Sequence, residues 1–344
     1  MNNQKPSLLV TGGAGFIGSN FITYFMKKYP TSQVITIDKL TYAGSKRNLS
    51  EVENLDNYQF IHGDILDENL MKDIFSDFNI SGVIHFAAES HVDRSIEDAK
   101  AFVESNVLGT FTLLQAAKSV WEKDGLLAER RFHQISTDEV YGSLGKKGKF
   151  SEETPYNPRN PYSASKASAN MLVKSFGYTH GMNVVISSSS NNYGPRQHSE
   201  KLIPTIISNA LKAESIPIYG DGKNIRDWLY VEDHCSALDK IYHQGKALET
   251  YTIGGGNEKT NSELAREICE ILDHLVPEIG NKAQIKSFND LITFTEDRLG
   301  HDRRYAVDDT KLRQTLGWKP SMTLESGLKK TVEWYVKQWE QITH

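Results

Sequence analysis

The chain has 344 residues, 38% hydrophobic and 24% charged, with two cysteines and a net charge of −5. That length buries a large core and divides most readily into two lobes, since single cores stop growing near ~250–300 residues. The acidic balance argues against a broad nucleic-acid surface, and no apolar run nears the ~20 residues of a membrane span.

Cys235 and Cys269 stand in no metal-ligand spacing, so no metal site is expected, and so few thiols fit a reducing cytosol without structural disulfides. Residues 1–6 run into a strand pattern without a signal-peptide layout, and a soluble cytoplasmic protein is expected.

Ser7-Leu8-Leu9-Val10 reads as a buried parallel strand, and Thr11-Gly12-Gly13-Ala14-Gly15-Phe16-Ile17-Gly18 then opens a helix reaching about Tyr29. Glycines 12, 15 and 18 permit a tight turn, close backbone approach to a diphosphate and close helix–strand packing. The helix N-terminus offers free N–H groups to phosphates. A glycine triplet alone is weak evidence, but between a strand and a helix it reads as a dinucleotide-binding turn. Gln33 to Asp38 is a second strand ending in an acid. Asp38 can accept from the adenosine ribose hydroxyls and repel a 2′-phosphate, which favours NAD over NADP. Lys39, Leu40 and Thr41 border the adenosine in this reading.

Tyr58 to Ile61 is a third strand, with Asp64 and Ile65 after it; Gly82 to Phe86 is a fourth, ending at Ala87-Ala88-Glu89-Ser90-His91. A helix is expected from about Asp98 to Val120. Phe132 to Ser136 is a fifth strand, and it runs into Ser136-Thr137-Asp138-Glu139-Val140-Tyr141-Gly142. An acidic pair is most often solvated loop charge. Here Asp38, Asp64, Ser90 and Thr137 to Glu139 all fall at strand ends, where doubly wound parallel sheets bind ligands. The pair therefore reads as a general acid and a general base.

Tyr162-Ser163-Ala164-Ser165-Lys166 opens a helix through about Tyr178, and its Tyr and Lys project from one face. An ammonium nearby favours the tyrosinate and lowers the Tyr pKa. Asn183 to Ser187 is a sixth strand, leading to the adjacent Asn191 and Asn192, which either bind ligand or simply form a turn. From Pro195 the strand–helix alternation weakens. The expected division is a Rossmann domain over 1–194, with 226–250 returning to it, and a smaller substrate lobe over 195–344. In that lobe Lys201, Arg226 and Arg298 suit a diphosphate, and Val231 to Gln244 reads as a helix.

With these motifs in place, the chain resembles the extended short-chain dehydrogenase/reductase superfamily, and within it the family of dTDP-glucose 4,6-dehydratases. The likeness runs from Leu9 to about Trp318. It is carried most specifically by Ala87-Ala88-Glu89-Ser90-His91-Val92-Asp93-Arg94-Ser95, by Ser136 to Gly142, by Ser190-Asn191-Asn192-Tyr193-Gly194-Pro195 and by Arg226-Asp227-Trp228-Leu229-Tyr230-Val231-Glu232-Asp233.

The resemblance implies an α/β fold, a doubly wound parallel sheet with a smaller C-terminal α/β lobe. It implies that Tyr162, assisted by Lys166 and Thr137, takes the C4 hydroxyl proton of a nucleotide sugar while hydride passes to NAD. Glu139 then removes the C5 proton and Asp138 protonates the departing C6 hydroxyl. NAD falls to Phe16, Ile17, Asp38, Lys39, Leu40, Thr41, Asp64, Ile65, Ala87, Ala88, Glu89, Ser90, His91, Ser105 and Asn192, with Tyr162 and Lys166. The nucleotide sugar falls to Ser90, Thr137, Asn191, Lys201, Leu202, Pro217, Ile218, Tyr219, Arg226, Asn261, Asp297, Arg298, Leu299, Gly300 and His301. A homodimer through helices near 98–120 and 162–178 is implied, and the product would feed deoxysugars such as rhamnose into surface polysaccharides.

One departure stands beside the substrate loop: Arg196-Gln197-His198-Ser199 occupies positions where many relatives carry an aromatic and Phe-Pro. Other nucleotide hexoses remain alternatives as substrate. A 4-epimerase is opposed by the acidic pair, and an idle NAD-binding regulator by the complete catalytic set.

Overall fold

The computed structural model describes residues 5–297 and 301–343; Arg298, Leu299 and Gly300, expected at the substrate, lie outside the described residues. The chain opens with β1 (Ser7–Thr11), α1 (Phe16–Lys28), β2 (Gln33–Asp38), β3 (Tyr58–His62), α2 (Glu68–Asp77) and β4 (Ile80–His85). It continues with α3 (Val92–Glu97), α4 (Ala99–Phe102), a π-helical turn over Val103–Leu108 and α5 (Gly109–Lys123). Next come β5 (Arg131–Thr137), a 3-10 turn over Asp138–Tyr141, α6 (Pro161–His180), β6 (Asn183–Ser189) and β7 (Asn191–Tyr193). The remainder is α7 (Leu202–Leu211), β8 (Ile216–Tyr219), β9 (Ile225–Tyr230), α8 (Val231–Gln244), β10 (Thr250–Ile253), β11 (Glu258–Thr260), α9 (Asn261–Leu275), α10 (Pro277–Ala283), β12 (Ile292–Thr295), α11 (Thr310–Leu316) and α12 (Leu324–Thr343).

Seven strands form one sheet in the order β10-β6-β5-β4-β1-β2-β3, and every pairing in it is parallel. The order reverses between β1 and β4, the switch point beyond which such sheets bind ligands. Alternation along β1 sends Leu8 and Val10 to one face and Leu9 to the other. The first face packs with Phe21, Ile22, Leu238 and Ile241 of α1 and α8. The second packs with Met71, Leu113, Trp121 and Phe176 of α2, α5 and α6. A separate core in the C-terminal half joins Ile203, Ile207, Ile218, Leu264, Ile268 and Leu328. There β11, β9 and β7 make a three-stranded sheet and β12 pairs with β8.

The helix expected from about Asp98 to Val120 is not continuous. Asp98 caps a fresh start at α4, accepting from Lys100 N, and the π turn adds a residue per turn before α5. Such a turn re-aims side chains and is often found at functional sites. Strand β10 was not expected either: four residues are too short for a reliable alternation signal.

Candidate active site

A cleft of about 410 Å³ lies beyond the carboxyl ends of β1, β2, β4, β5 and β6. The glycine turn forms its floor. Gly12 has a φ of +68°, and a Cβ there would sit 2.6 Å from the Ala87 nitrogen; one on Gly18 would sit 2.4 Å from the Gly12 carbonyl. Backbone from β1, α1 and β4 can therefore converge only because these positions are bare. Asp38 closes the adenosine end. Its Oδ2 accepts from Ala14 N at 2.9 Å and its Oδ1 from Leu40 N at 2.8 Å, which fixes the carboxylate while leaving lone pairs for ribose hydroxyls. Beside it Lys39 pairs with Asp64 at 2.6 Å.

Gly12, Gly15, Phe16, Ile17, Gly18, Asp38, Lys39, Thr41, Asp64, Ile65, Ala87 to Ser90, Ser105 and Asn192 all line the cleft. Two residues assigned to NAD do not. Leu40 adopts a φ of +55° and packs into the core behind α1. His91 caps α3, its Nδ1 accepting from Arg94 N, and its Nε2 stands 3.4 Å from Glu200. The remaining cradle fits a dinucleotide: a bare glycine turn at a helix N-terminus, an acid at the ribose, and on the far wall Ser190 Oγ and Asn192 Oδ1, buried without a partner.

Thr137, Asp138, Glu139, Tyr162 and Lys166 line the same cleft. Strand β5 ends at Thr137, whose Oγ1 caps the 3-10 turn by accepting from Glu139 N at 3.3 Å. Asn160 starts α6 with a capping box and Pro161 in its first turn, setting Tyr162 and Lys166 on the face toward β5. Asp138 is 2% exposed, and its Oδ2 has no partner. Burial, then Glu139, then Asp227 raise its pKa well above the carboxylate range. Glu139 is half-buried, and its pKa is raised by burial but pulled back by Lys201, Arg226 and the Asn160 side chain. Both carboxyls are thus raised, Asp138 the further of the two, the offset that suits an acid beside a base.

Tyr162 departs from the sequence expectation. Burial first and Glu139 second push its phenol up, with the Thr137 hydroxyl pulling the other way. The Lys166 ammonium donates to the Ile135 carbonyl at 2.7 Å, and burial lowers its pKa to about 8.

The loop from Asn191 to Lys201 forms the far wall, with Asn191, Asn192, His198 and Lys201 on the cleft. Asn192 donates to Ser189 Oγ and the Ser190 carbonyl, and Lys201 Nζ to the Ser90 carbonyl at 3.3 Å. Arg196 points elsewhere, into α1. Leu202, Pro217, Ile218, Tyr219, Arg226, Asn261, Asp297 and His301 do not line this cleft. Arg226 is buried, donates to the Asp302 carbonyl at 2.9 Å and stacks 4.4 Å from the Tyr305 ring centroid, with its charge felt by Asp138 and Glu139. Pro217 to Tyr219 lie in β8, and just after it a Cβ on Gly220 would strike the Asp297 carboxylate; His301 lies 2.6 Å from that carboxylate.

Residues not singled out in the sequence also hold the site. Asn106, in the π turn, receives Glu89 N at 2.8 Å and donates to the Glu89 carbonyl at 3.0 Å and Ser165 Oγ at 2.8 Å. It ties the loop after β4 to the catalytic helix. Nothing in the local pattern marks it. Asn160 before Pro161 is a standard helix-start signal and could have been found.

A family model described as GDP-mannose 4,6 dehydratase matches residues 9–331. The chain is similar to the dTDP-glucose 4,6-dehydratase of Haemophilus influenzae, 50% identical over 333 residues that cover 96% of this chain and 98% of the relative. Among solved structures it is similar to the dTDP-glucose 4,6-dehydratase of Bacillus anthracis in complex with NAD, at 41% identity, a TM-score of 0.84 and 98% coverage of each chain. It is also similar to the Streptomyces venezuelae dTDP-glucose 4,6-dehydratase DesIV with NAD and TYD bound, at 40% identity, a TM-score of 0.86 and coverage of 97% and 98%.

Proposed function

The chain belongs to the dTDP-glucose 4,6-dehydratase family, and from that premise we infer that it converts dTDP-glucose to the 4-keto-6-deoxy sugar nucleotide and water. NAD, when bound, supplies a hydride acceptor and donor and a positive charge near the phenol. The observation that carries the reading is the Asp138–Glu139 pair at the end of β5, one carboxyl fully buried and the other feeling the charges of Lys201 and Arg226. Hydride chemistry alone needs no such pair.

In this reading Tyr162, whose buried phenol the Lys166 ammonium and the charge of bound NAD would draw down, takes the C4 hydroxyl proton with the help of Thr137. The resulting ketone acidifies C5–H, which Glu139 removes as the carboxylate with the lower pKa of the two. Asp138, held protonated, gives its proton to the C6 hydroxyl so that it leaves as water. Lys201 and Arg226 balance the charge of the pair. In this reading the seven-stranded sheet holds the dinucleotide over residues 1–194, with 226–250 returning to it, and the sugar nucleotide runs out of the cleft past Asn191 and Lys201 onto the 195–344 lobe, where Arg226, Asn261, Pro217 to Tyr219, Asp297 and His301 stand beyond the cleft lining.

Two further features belong to the reading. Val103, Leu108, Phe111, Met171 and Tyr178 expose apolar surface on the π turn, α5 and α6, which supports a homodimer through these helices. No helix among the described residues is long and apolar enough to cross a membrane, which accords with a cytoplasmic enzyme. The test is to incubate the purified protein with dTDP-, UDP-, CDP- and GDP-hexoses and follow the 4-keto product by its alkaline absorbance. Product from dTDP-glucose is expected; dTDP-galactose in its place would make the protein an epimerase, and no product would overturn the reading.

A further inference from the structure

Three loops at the rim of the cleft meet one another pairwise. Strand β1, which leads into the glycine turn, lies between β2 and β4 in the sheet, so a contact between the loops after β2 and β4 passes across the end of β1. Tyr42, between Thr41 and Ala43 on the cleft, makes that contact. The Arg94 guanidinium of α3 lies 4.1 Å over its ring centroid, and the His91 ring stands 6.5 Å away between centroids. From the far wall His198 meets the same Tyr42 ring edge to face, with centroids 5.5 Å apart.

The third side of this triangle is polar. His91 Nδ1 accepts from Arg94 N at 3.3 Å, so in the neutral ring the proton sits on Nε2, and Nε2 stands 3.4 Å from Glu200 Oε2. The same oxygen lies 3.5 Å from His198 Nδ1, which sets one carboxylate between a histidine of each wall. Beside it Lys201 donates to the Ser90 carbonyl at 3.3 Å and stands 3.7 Å from the other Glu200 oxygen. The His91 and Glu200 side chains are 21% and 18% exposed, so their contact escapes much of the screening that weakens surface pairs.

We propose that Tyr42 and Glu200 latch these loops over the diphosphate of the dinucleotide, which enters and leaves only when the latch opens. A dinucleotide with its adenosine at Asp38 and its nicotinamide toward Tyr162 has its diphosphate at the glycine turn, under the triangle. The purpose of the latch rests on the dehydratase reading: the hydride taken from C4 returns at C6, so the cofactor ends each turnover as it began and needs no exit. Loops that close over a ligand set the rates of its entry and release. A latch acts through the cost of opening and not through contact with the cofactor. It therefore slows entry and exit by the same factor and leaves affinity alone.

The test follows NADH by its fluorescence in stopped flow, without sugar: entry on mixing with cofactor-free protein, exit on displacing bound NADH with excess NAD. Glu200→Ala and Tyr42→Ala are each expected to speed both steps about tenfold, the scale of one hydrogen bond to a charged group or one partly buried cation–π contact, with Kd changed less than about threefold. Tyr42→Phe keeps the ring that Arg94 and His198 touch and should match wild type within about twofold. The double alanine variant should be little faster than either single one, because a triangle opened at one corner is already open. If Tyr42→Ala does not fold, Tyr42→Leu serves in its place. Unchanged rates in both alanine variants, or effects that simply multiply in the double variant, overturn the latch. So does faster exit with unchanged entry, which would make the residue an ordinary contact to the cofactor. Failure of the wild type to make 4-keto product from dTDP-glucose would overturn the dehydratase reading instead, and would leave these sugar-free rates standing.

Discussion

Arg196, which belongs to the loop after β7, reaches Glu51 on the far side of α1. On the way its guanidinium donates to the Ser19 carbonyl at 3.2 Å and the Thr23 hydroxyl at 3.0 Å, and the ion pair with Glu51 completes the set. Asn20 of α1 adds a bond to the Pro195 carbonyl at 3.0 Å. The helix whose N-terminus faces the dinucleotide is thus fastened to the wall that carries Asn192, His198 and Lys201.

Removing that fastening gives the first prediction. Arg196→Ala should destabilise the protein by about 1–3 kcal/mol, the range for hydrogen bonds to a charged group. Glu51→Gln should cost less than about 1 kcal/mol, because Glu51 is half-exposed and solvent screens the pair. Arg196 has a φ of +70°, so Arg196→Gly regains about 1 kcal/mol of left-handed strain and should fall between wild type and Arg196→Ala. Denaturant unfolding checks the order. Steady-state kinetics should show KM for the nucleotide sugar raised with kcat little changed, since Arg196 does not line the cleft.

The acidic pair gives the second. Glu139→Gln should abolish exchange of C5–H with solvent deuterium while C4 oxidation still registers as NADH absorbance. Asp138→Asn should keep C4 oxidation and slow water loss by about 10²–10⁴-fold, the usual contribution of a positioned acid. Elimination by Glu139→Gln at the wild-type rate would reverse the assignment of roles.

Legibility followed the length and regularity of each element. The strands β1 to β6 and the helix Val231–Gln244 could be read because apolar alternation or periodicity runs unbroken between clear breakers. The π turn could not: its apolar residues pass for ordinary helical spacing, and only the packing of Asn106 against Glu89 and Ser165 calls for the extra residue. The three-residue strands β7 and β11 carry too little pattern, and much of their pairing joins distant segments such as Asn191 and Trp228. Arg196 looked like a pocket residue from its neighbours in sequence. Its partners lie more than a hundred residues away, which no local pattern encodes. The raised Tyr162 phenol was missed for a similar reason, since its cause is burial beside Glu139, which depends on how α6 packs against the end of β5.

Asn106 gives the third prediction. Asn106→Ala leaves both backbone groups of Glu89 without their partner, while Ser165 still donates to the Tyr162 carbonyl, and an unsatisfied buried group costs about 1–3 kcal/mol. Because Glu89 and Ser90 lie on the dinucleotide side of the cleft, bound NAD should also dissociate faster. Asn106→Asp should be worse at the Glu89 carbonyl, where it sets oxygen against oxygen in place of the Nδ2 donor. Thermal melting together with NAD retention on gel filtration separates these effects from a simple loss of fold.

Asp138 gives the last, and it concerns pH. Burial and Glu139 raise its folded-state pKa well above the ordinary 3.8. The folded protein therefore binds this proton more tightly than the unfolded chain. Between 3.8 and the raised value the unfolded state has lost the proton while the folded state keeps it, so this group makes stability fall as pH rises. Asp138→Asn has no proton to lose and escapes that fall. It should melt above wild type at pH 7.5, and the gap should shrink as pH is lowered toward 4. A gap that widens on acidification would mean that Asp138 is stabilised as a carboxylate in the folded protein and could not serve as the acid. The variant that gains stability is also the one expected to lose water expulsion, because the same burial that strains the fold keeps the proton in place for the C6 hydroxyl.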